Sequence, residues 1–150
     1  MKTPIGTLNL LADDQILIGA NLSTISAFNV NQDLKVVKSI PVISDLISDY
    51  FNGDLSAINA IKVRQPGAAF SQAAWKSMRK VSAGKVISYA DLAQNSGSAA
   101  AVRAAGSACA NNAIMLVVPC HRIVKTGGAL GNYAYGVEKK DWLLRHEGYF

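Results

Sequence analysis

The sequence predicts an α+β protein with two lobes, a small sheet with one helix followed by a mostly helical part. Two short apolar runs around an Asp-Asp turn indicate the sheet. From residue 68 onward, apolar residues recur every three or four positions, which is the spacing of amphipathic helices. Gln65-Pro66-Gly67 separates the two parts with strong breakers. We therefore expect an N-terminal scaffold domain at residues 1–65 and a C-terminal functional domain at residues 66–150.

The first lobe is expected to contain a hairpin, a third strand and a helix. Residues 5–11 and 15–20 are the two apolar runs of the hairpin. A third strand is expected at residues 22–28 or at residues 35–37. Pro41 then opens a helix that continues to Tyr50, before Asn52-Gly53. No residue in this lobe has recognisable chemistry.

The second lobe begins with a predicted helix over residues 68–80. Its apolar stripe consists of Phe70, Ala74, Met78 and Val81. Ser88 and Asp91 then have the spacing of a capping box, which predicts a short helix over residues 89–94.

A second short helix is expected over residues 99–110, with Ser98 as its N-cap. Two short helices joined by a tight turn that contains Gly97 are typical of a helix-turn-helix.

The helix at 99–110 carries one long side chain, Arg103, among alanines and a glycine. A helix that reads bases in the major groove needs several Arg, Asn or Gln side chains, so sequence-specific recognition is not indicated. A helix with small side chains can instead lie close to a backbone or in a narrow groove, where Arg103 could fill a gap in a base stack. The alternative is close helix–helix packing, which small residues also permit.

The most unusual stretch is Pro119-Cys120-His121-Arg122, which interrupts an apolar run. Residues 114–118 are expected to form a buried strand that leads into Cys120. A neighbouring imidazole that takes the thiol proton would make Cys120 a nucleophile. Because adjacent side chains of an extended chain point to opposite faces, His121 would act only where Pro119 turns the chain, or through a water. The alternative is that Cys120 is simply a small buried residue.

The remaining segments are a glycine-rich loop at residues 125–133 and a final helix at about 137–146. The loop could close over a pocket, but it lacks the phosphate-binding pattern of a P-loop. In the helix, Trp142, Leu143 and Leu144 are expected to pack inward.

Charge and cysteine content narrow the function classes. Residues 1–65 carry five basic and six acidic side chains, whereas residues 66–150 carry ten and four. A basic second half is the electrostatic pattern expected for a polyanionic partner. Two cysteines are too few for a disulfide framework, and no cluster offers four zinc ligands. With no signal-type or membrane-spanning apolar segment in the sequence, we expect a soluble intracellular protein.

These residues resemble the O6-alkylguanine-DNA alkyltransferases, repair proteins that move an alkyl group from guanine O6 to their own cysteine. The resemblance is strong over residues 68–150 and general over residues 1–65. The landmarks that match in order and spacing are Ser88-Tyr89, Arg103, Asn112, Pro119-Cys120-His121-Arg122, Gly131-Asn132-Tyr133, Leu143-Leu144 and His146-Glu147-Gly148. The resemblance implies an RNase H-like first lobe and a winged-helix-like second lobe.

The resemblance also implies roles for the catalytic residues. Cys120 would accept the alkyl group, and His121 would take the thiol proton by way of a water. Glu147 would orient the imidazole, and Asn112 would act as a hinge that holds strand and helix in register. Tyr89 would help to rotate the lesion's phosphate and protonate the departing guanine.

The residues implied in DNA and substrate binding fall into two groups. Arg103 would replace the extruded base, on a minor-groove helix whose small residues are Ala101, Ala104 and Gly106. The base pocket would be lined by Val118, Gly131, Asn132, Tyr133 and Tyr135. Tyr135 stands where many relatives have a small residue, and could either restrict large alkyl groups or stack on them.

The implied partner is double-stranded DNA, bound largely without sequence preference. No cofactor, metal or membrane is implied, and the protein is expected to be a monomer. Its expected location is the cytoplasm, on the nucleoid of a prokaryote, or the nucleus of a eukaryote. Two alternatives are a non-catalytic protein that binds alkyl lesions and a cysteine hydrolase, which would need an oxyanion hole and would turn over repeatedly.

Overall fold

The computed structural model describes residues 1–28 and 34–150. These residues form a mixed α+β structure that divides into two compact units. The first unit comprises Met1–Gln65 and Ala113–Met115, and the second comprises Pro66–Asn112 and Leu116–Phe150. Residues 113–115, which the sequence assigned to the second lobe, thus lie with the first unit.

The first unit is built on short strands. Strands β1 (Lys2–Thr3) and β2 (Gly6–Thr7) pair with each other in antiparallel fashion. Strands β3 (Asn9–Asp13) and β4 (Ile16–Asn21) form an antiparallel hairpin, as the sequence predicts. Strand β5 (Lys62–Val63) pairs with β4 in parallel, so the sheet has the order β3-β4-β5.

The third strand is not at either of the positions that the sequence predicts. Residues Ile25–Phe28 form a 3-10 helix, and residues 35–37 have no regular structure. Both expectations are wrong, since the third strand of this sheet is β5, which pairs with the edge of β4 that β3 leaves open. A strand needs a free edge whose N–H and C=O groups it can pair with, and an apolar composition does not supply one.

Helix α1 (Ile43–Phe51) confirms the helix predicted after Pro41. It buries Ile43, Ile47 and Tyr50 on one face, at the spacing of three to four residues that a helix requires. The chain leaves this helix at Asn52, and Gly53 follows with a φ of 112°.

The second unit contains the helices α2 (Ala69–Met78), α3 (Tyr89–Asn95), α4 (Val102–Ala110) and α5 (Val137–His146). Helices α2, α3 and α4 pack against one another. The indole N–H of Trp75 donates a hydrogen bond to the carbonyl of Ala108 across 2.9 Å.

The predicted capping box is present at the start of α3. The backbone N–H of Asp91 donates to the Ser88 hydroxyl at 3.0 Å, and the N–H of Ser88 donates to the Asp91 carboxylate. Helix α4, however, begins at Val102 without a side-chain cap, so the prediction of Ser98 as its N-cap is wrong. The carbonyl of Ser98 instead accepts the N–H of Ala101 at 3.0 Å and closes a turn, a conformation that serine also favours.

Residues 114–118 are buried but do not form the predicted strand. The segment is a bridge residue at Ile114 followed by a turn in which Leu116 has a φ of 72°. Ile114 bridges to Ala20, and the N–H of Met115 donates to the Ala20 carbonyl at 3.2 Å. A continuous apolar run predicts burial, but its backbone conformation depends on which partners satisfy its polar groups.

Two short strands, β6 (Ile87–Ser88) and β7 (Ile123–Val124), pair in parallel. Strand β6 follows the loop after α2, and β7 directly follows the turn at Cys120–Arg122, here called the cysteine turn. Leu143 and Leu144 of α5 are fully buried, as predicted, whereas Trp142 is half-buried and stacks on the His146 ring. Across residues 1–28 and 34–150, no helix has the length and apolar character needed to span a membrane.

Candidate active site

Cys120 lies at a sharp turn of the backbone. Pro119 has φ −85° and ψ 68°, and the N–H of Cys120 donates to the carbonyl of Val118 at 2.9 Å, which is an inverse γ-turn. Cys120–Arg122 then form one turn of 3-10 helix. Because a 3-10 helix has about three residues per turn, its successive side chains point in different directions. Cys120 and His121 are therefore not held on opposite faces of a strand.

The side chain of Asn112 connects the end of α4 to this turn. Its amide nitrogen donates to the carbonyl of Val118 at 2.8 Å and lies 3.5 Å from the sulfur of Cys120. The first bond gives the buried Val118 carbonyl a second donor beside the N–H of Cys120. The second places a hydrogen-bond donor on the thiol sulfur.

His121, Arg122 and Glu147 form a buried hydrogen-bonded cluster. The Nε2 atom of His121 lies 2.8 Å from Oε2 of Glu147. Arg122 donates from Nε to Oε1 and from Nη2 to Oε2 of the same carboxylate, both at 2.9 Å. Its third nitrogen, Nη1, donates to the carbonyl of Val81 at 2.7 Å. The cluster thus joins the cysteine turn, the C-terminal end of α5 and the loop after α2.

The partners of His121 determine its tautomer. The Glu147 carboxylate can only accept hydrogen bonds, so the proton between them belongs to Nε2. The other ring nitrogen, Nδ1, is buried and has no hydrogen-bond partner among the described residues. In the neutral ring, Nδ1 therefore carries the free lone pair and is the atom that can accept a proton.

Burial has opposite effects on the pKa values of the two reacting groups. It raises the pKa of the Cys120 thiol, against smaller lowering effects of the Asn112 hydrogen bond and the Lys140 charge. It lowers the pKa of His121, although the hydrogen bond and charge of Glu147 act in the other direction. Near neutral pH the site thus holds a thiol and a neutral imidazole, the protonation state that precedes a proton transfer.

Glu147 remains ionised in spite of its burial. Burial alone would raise its pKa, but the hydrogen bonds and charges of His121 and Arg122 hold the pKa well below its usual range. The buried carboxylate is therefore a fixed negative charge beside the imidazole.

Lys140 of α5 is fully buried beside the cysteine turn. Its Nζ donates to the carbonyl of Ile123 at 2.6 Å and to the carbonyl of Asn132 at 3.3 Å. Burial lowers the pKa of Lys140, whereas the negative charges that Cys120 and Cys109 gain on deprotonation raise it. A positive charge near the sulfur stabilises the thiolate more than the thiol.

Tyr89 and the glycine-rich loop lie against each other. Gly131 has a φ of 76°, and a Cβ atom there would come within 3.3 Å of the Tyr89 ring carbon Cε2 and hydroxyl. Glycine thus allows both the conformation and the close approach. Burial, with the charges of Cys109 and Cys120, raises the pKa of Tyr89 to about 12. Its hydroxyl therefore keeps its proton at neutral pH and can donate it.

Three further residues of the expected pocket lie near this region. The rings of Tyr133 and Tyr135 are 5.7 Å apart and meet edge to face at 70°. Tyr135 is half-buried, and burial with the nearby Cys120 charge raises its pKa. Val118 is buried, with its carbonyl held by Asn112.

Helix α4 has a packed face and an exposed face, and the packed face agrees with helix–helix packing as the reason for its small residues. Ala105 and Ala108 are buried against the neighbouring helices. Arg103 and Ala104 are exposed. The two other residues of the expected DNA-binding surface, Ala101 and Gly106, are half-buried. Among the described residues, no hydrogen bond or ion pair joins Arg103 to Cys120 or to the His121, Arg122 and Glu147 cluster, whereas Asn112 lies just beyond the end of the same helix.

Both cysteines are free thiols. Burial is the main cause that raises the pKa of Cys109 to about 12, so it is a poor nucleophile at neutral pH. Within residues 1–28 and 34–150, no group of three His, Cys, Asp or Glu side chains is arranged to hold a metal ion.

Sequence reasoning missed the roles of Arg122 and Lys140. Arg122 stands inside the signature, but nothing in its position along the chain indicates which carboxylate it contacts. Lys140 lies on a helix with Glu138, Lys139 and Asp141, a pattern that is typical of a solvated surface. The position of Lys140 near Cys120 follows only from the packing of α5 on the cysteine turn.

Comparisons with known proteins agree with the resemblance seen in the sequence. A family model, described as the DNA-binding domain of 6-O-methylguanine DNA methyltransferase, matches residues 69–149. The methylated-DNA–protein-cysteine methyltransferase of Shigella flexneri is 34% identical over 99% of this chain and 94% of that protein.

Solved structures match over nearly the whole chain. The crystal structure of the Mycobacterium tuberculosis O6-methylguanine methyltransferase has a TM-score of 0.81 and 28% identity, covering 98% of this chain and 89% of that one. The structure of Mycobacterium tuberculosis OGT in complex with DNA has a TM-score of 0.75 and 27% identity, with the same coverage.

Proposed function

The chain belongs to the methylated-DNA–protein-cysteine methyltransferase family, and we propose that it transfers the alkyl group of O6-alkylguanine in DNA to its own Cys120. The family resemblance indicated by the sequence is confirmed, and the function is direct-reversal DNA repair by an enzyme of this family. The non-catalytic lesion-binding alternative is not favoured. The observation that most supports Cys120 as the acceptor is the buried Glu147–His121 pair beside a cysteine that Asn112 holds in place.

The transfer is a substitution at the alkyl carbon. The Cys120 thiol gives its proton to Nδ1 of His121, through a bridging water as the family resemblance implies. The thiolate attacks the carbon in line with the O6–carbon bond. The sulfur–carbon bond forms, the O6–carbon bond breaks with its electrons going to guanine, and guanine takes up a proton. The product is a thioether, which is a poor leaving group, so each protein molecule reacts once.

The electrostatics support this sequence of steps. A neutral imidazole can accept the proton, and the fixed Glu147 charge stabilises the imidazolium that results. The charge of Lys140 stabilises the thiolate. The Tyr89 hydroxyl, protonated at neutral pH, is the proposed proton donor to the departing guanine.

The alkyl carbon of a stacked guanine is out of reach, so the nucleotide must leave the helix, at a cost of about a few kcal/mol. We propose that α4 binds the minor groove of double-stranded DNA through its small-residue face, with little sequence preference. Arg103, exposed near the start of the helix, would fill the gap in the stack. Ala101, Ala104 and Gly106 would allow the helix to approach the backbone closely.

The extruded base would bind among Val118, Tyr133, Tyr135 and the backbone of Gly131 and Asn132. The approach of Gly131 to Tyr89 and the hydrogen bond from Lys140 to the Asn132 carbonyl support a preformed wall for this pocket. Tyr135, close to Cys120, would contact the alkyl group and so influence which sizes are accepted.

For the architecture, we propose an RNase H-like scaffold for the first unit and a winged-helix-like form for the second. The second unit would carry both DNA binding and transfer, because the residues of the proposed reaction lie within it. The reaction needs no group beyond these side chains, which supports a monomer that works without a cofactor. The proposed location is wherever the chain meets DNA, on a cytoplasmic nucleoid or in a nucleus.

The test is incubation with a DNA duplex that contains one O6-methylguanine, followed by mass spectrometry of the intact protein and its peptides. We expect one methyl group on Cys120 and none on Cys109. The Cys109→Ser variant should still accept the methyl group, whereas Cys120→Ser should bind the DNA without reacting. Wild-type protein that binds this DNA and stays unmodified would refute the transferase assignment. Repeated turnover of an ester or peptide substrate would instead favour a cysteine hydrolase.

A further inference from the structure

Arg122 is almost completely buried, with 1% of the residue exposed, although it has the most polar side chain of the cysteine turn. Two of its nitrogens bind both oxygens of the Glu147 carboxylate, and the third binds the Val81 carbonyl. Burial of a charged group is costly unless it is paired in good geometry, and this pairing is bidentate. Arg122 therefore has a defined partner on each side.

This pairing sets the orientation of Glu147. The planar fork of Arg122 fixes the plane of the carboxylate, because both oxygens are engaged at 2.9 Å. Oxygen Oε2 accepts two hydrogen bonds, one from Nη2 of Arg122 and one from Nε2 of His121 at 2.8 Å. The direction of the His121 hydrogen bond, and with it the ring orientation, thus depends on Arg122.

The charge of Arg122 also affects the protonation of His121. The groups that act on the ring are Glu147 at the end of α5, Arg122 on the same turn, and Lys140 on α5, with Cys120 adjacent in the chain. Helix α2 also packs on this turn, and its one charged side chain, that of Lys76, is exposed. Without Arg122, the buried Glu147 carboxylate would lose its bidentate cationic partner and the ring would lose a neighbouring positive charge, and both changes favour the doubly protonated imidazolium. An imidazolium cannot accept the thiol proton.

We propose that Arg122 is a positioning residue that, through Glu147, keeps His121 neutral with its proton on Nε2 and Nδ1 free for the proton of Cys120. This inference rests on the proposed function, because it explains how the base of that reaction is kept in its reactive form. Among the described residues, the hydrogen bonds of Arg122 go to Glu147 and Val81 and not to the sulfur or the proposed pocket, so Arg122 would act through Glu147 and His121.

The first measurement uses the wild-type protein and does not depend on activity. Nitrogen-15 NMR of the imidazoles at about pH 7 should show one histidine protonated on Nε2 alone, assigned to His121 with a His146→Gln variant. A protonated Nδ1 on His121 in the wild-type protein would overturn the proposal, whether or not the protein transfers methyl groups.

The second measurement is the single-turnover rate of methyl transfer from about pH 5 to about pH 9 for wild type, Arg122→Lys and Arg122→Gln. For Arg122→Gln, the acid limb should move up by roughly one pH unit or more, with a loss of about tenfold or more near its midpoint. Arg122→Lys keeps the charge but loses the fork, so its acid limb should lie between the other two.

The pH dependence of the rate distinguishes a positioning role of Arg122 from a purely structural one. An equal fall in rate at every pH, with an unchanged midpoint, would mean that Arg122 has only a structural role. If Arg122→Gln does not fold, the imidazole NMR spectrum and the pH profile of Arg122→Lys still show whether Arg122 affects the protonation of His121. Absence of transfer by the wild-type protein would count against the proposed function, whereas the comparison of the wild-type and Arg122→Lys NMR spectra would still test Arg122.

Discussion

The side-chain amide of Asn112 lies 3.5 Å from the sulfur of Cys120, eight residues further along the chain. The same amide binds the carbonyl of Val118 at 2.8 Å, so one side chain contacts both the backbone just before the turn and the reactive sulfur. The position of the sulfur therefore depends on the C-terminal end of α4, the helix that we propose binds DNA.

Replacing Asn112 with alanine should therefore weaken both folding and transfer. The buried Val118 carbonyl would keep the N–H of Cys120 but lose its second donor, which costs about 0.5–1.5 kcal/mol of the free energy of unfolding. Transfer should slow as well, because the Asn112 hydrogen bond lowers the pKa of the Cys120 thiol. Urea denaturation and single-turnover rates check the two effects.

Its neighbour Asn111 is the matched control, since this asparagine is exposed. Asn111→Ala should change the free energy of unfolding by no more than about 0.5 kcal/mol. Equal destabilisation by both substitutions would contradict a specific role for the Asn112 amide.

Lys140→Met should slow methyl transfer by roughly tenfold, equivalent to a loss of about 1.4 kcal/mol of transition-state stabilisation. Methionine fills a similar volume but removes the charge that favours the Cys120 thiolate and the donor to the Asn132 carbonyl. Lys139→Met, at the preceding position, which is only half-buried, should leave the rate unchanged. Stopped-flow or quench measurements on the methylated duplex distinguish the two variants, and identical rates for both would remove Lys140 from the mechanism.

The free energy of unfolding should fall on acidification. The folded-state pKa values of His121 and Glu147 are both lower than in the unfolded chain, so the unfolded chain binds protons more readily. Their stabilisation is complete above the unfolded pKa of histidine, about 6.5, and is lost as the pH falls from there through the carboxylate range below about 4.3.

Urea titrations between about pH 7.5 and about pH 4 measure this dependence. A His146→Gln variant removes the chain's other histidine, and it should show the same loss. Stability that stays constant from about pH 7 to about pH 5 would show that His121 is not buried in its neutral form.

Arg103→Ala should slow repair of O6-methylguanine in duplex DNA by about tenfold or more, because the gap left by the extruded base would not be filled. Reaction with a free O6-alkylguanine base, which needs no extrusion, should proceed at the wild-type rate. Arg145→Ala removes an equal charge from an exposed arginine that pairs with Asp141 on α5, and it serves as the control. Equal losses with duplex and free base would refute the assignment of Arg103.

Elements with a local cause were predictable from the sequence. The β3–β4 hairpin follows from two apolar runs around a turn, and α3 begins at the capping box of Ser88. Each of these depends on residues a few positions apart, so the necessary information lies within a short window of the chain.

Elements with a distant cause were not predictable. The third strand of the first unit is β5, more than forty residues from its partner β4. The apolar run at 114–118 forms a turn rather than a strand, with Asn112 as a hydrogen-bond donor in place of a sheet neighbour. Periodicity indicates which residues are buried, but it does not indicate which polar groups pair.

The sequence by itself determined the chemistry: a cysteine and a histidine at a proline turn, in a basic half of the chain, with the spacing of a known family. Tertiary structure alone decided which groups Arg122 and Lys140 bind and which nitrogen of His121 has no hydrogen-bond partner among the described residues. The reason is that a residue's type sets what it can donate or accept, whereas its pKa and tautomer depend on burial and on partners distant in the chain. Glu147, 27 positions after Cys120, reaches His121 only because α5 packs on the cysteine turn.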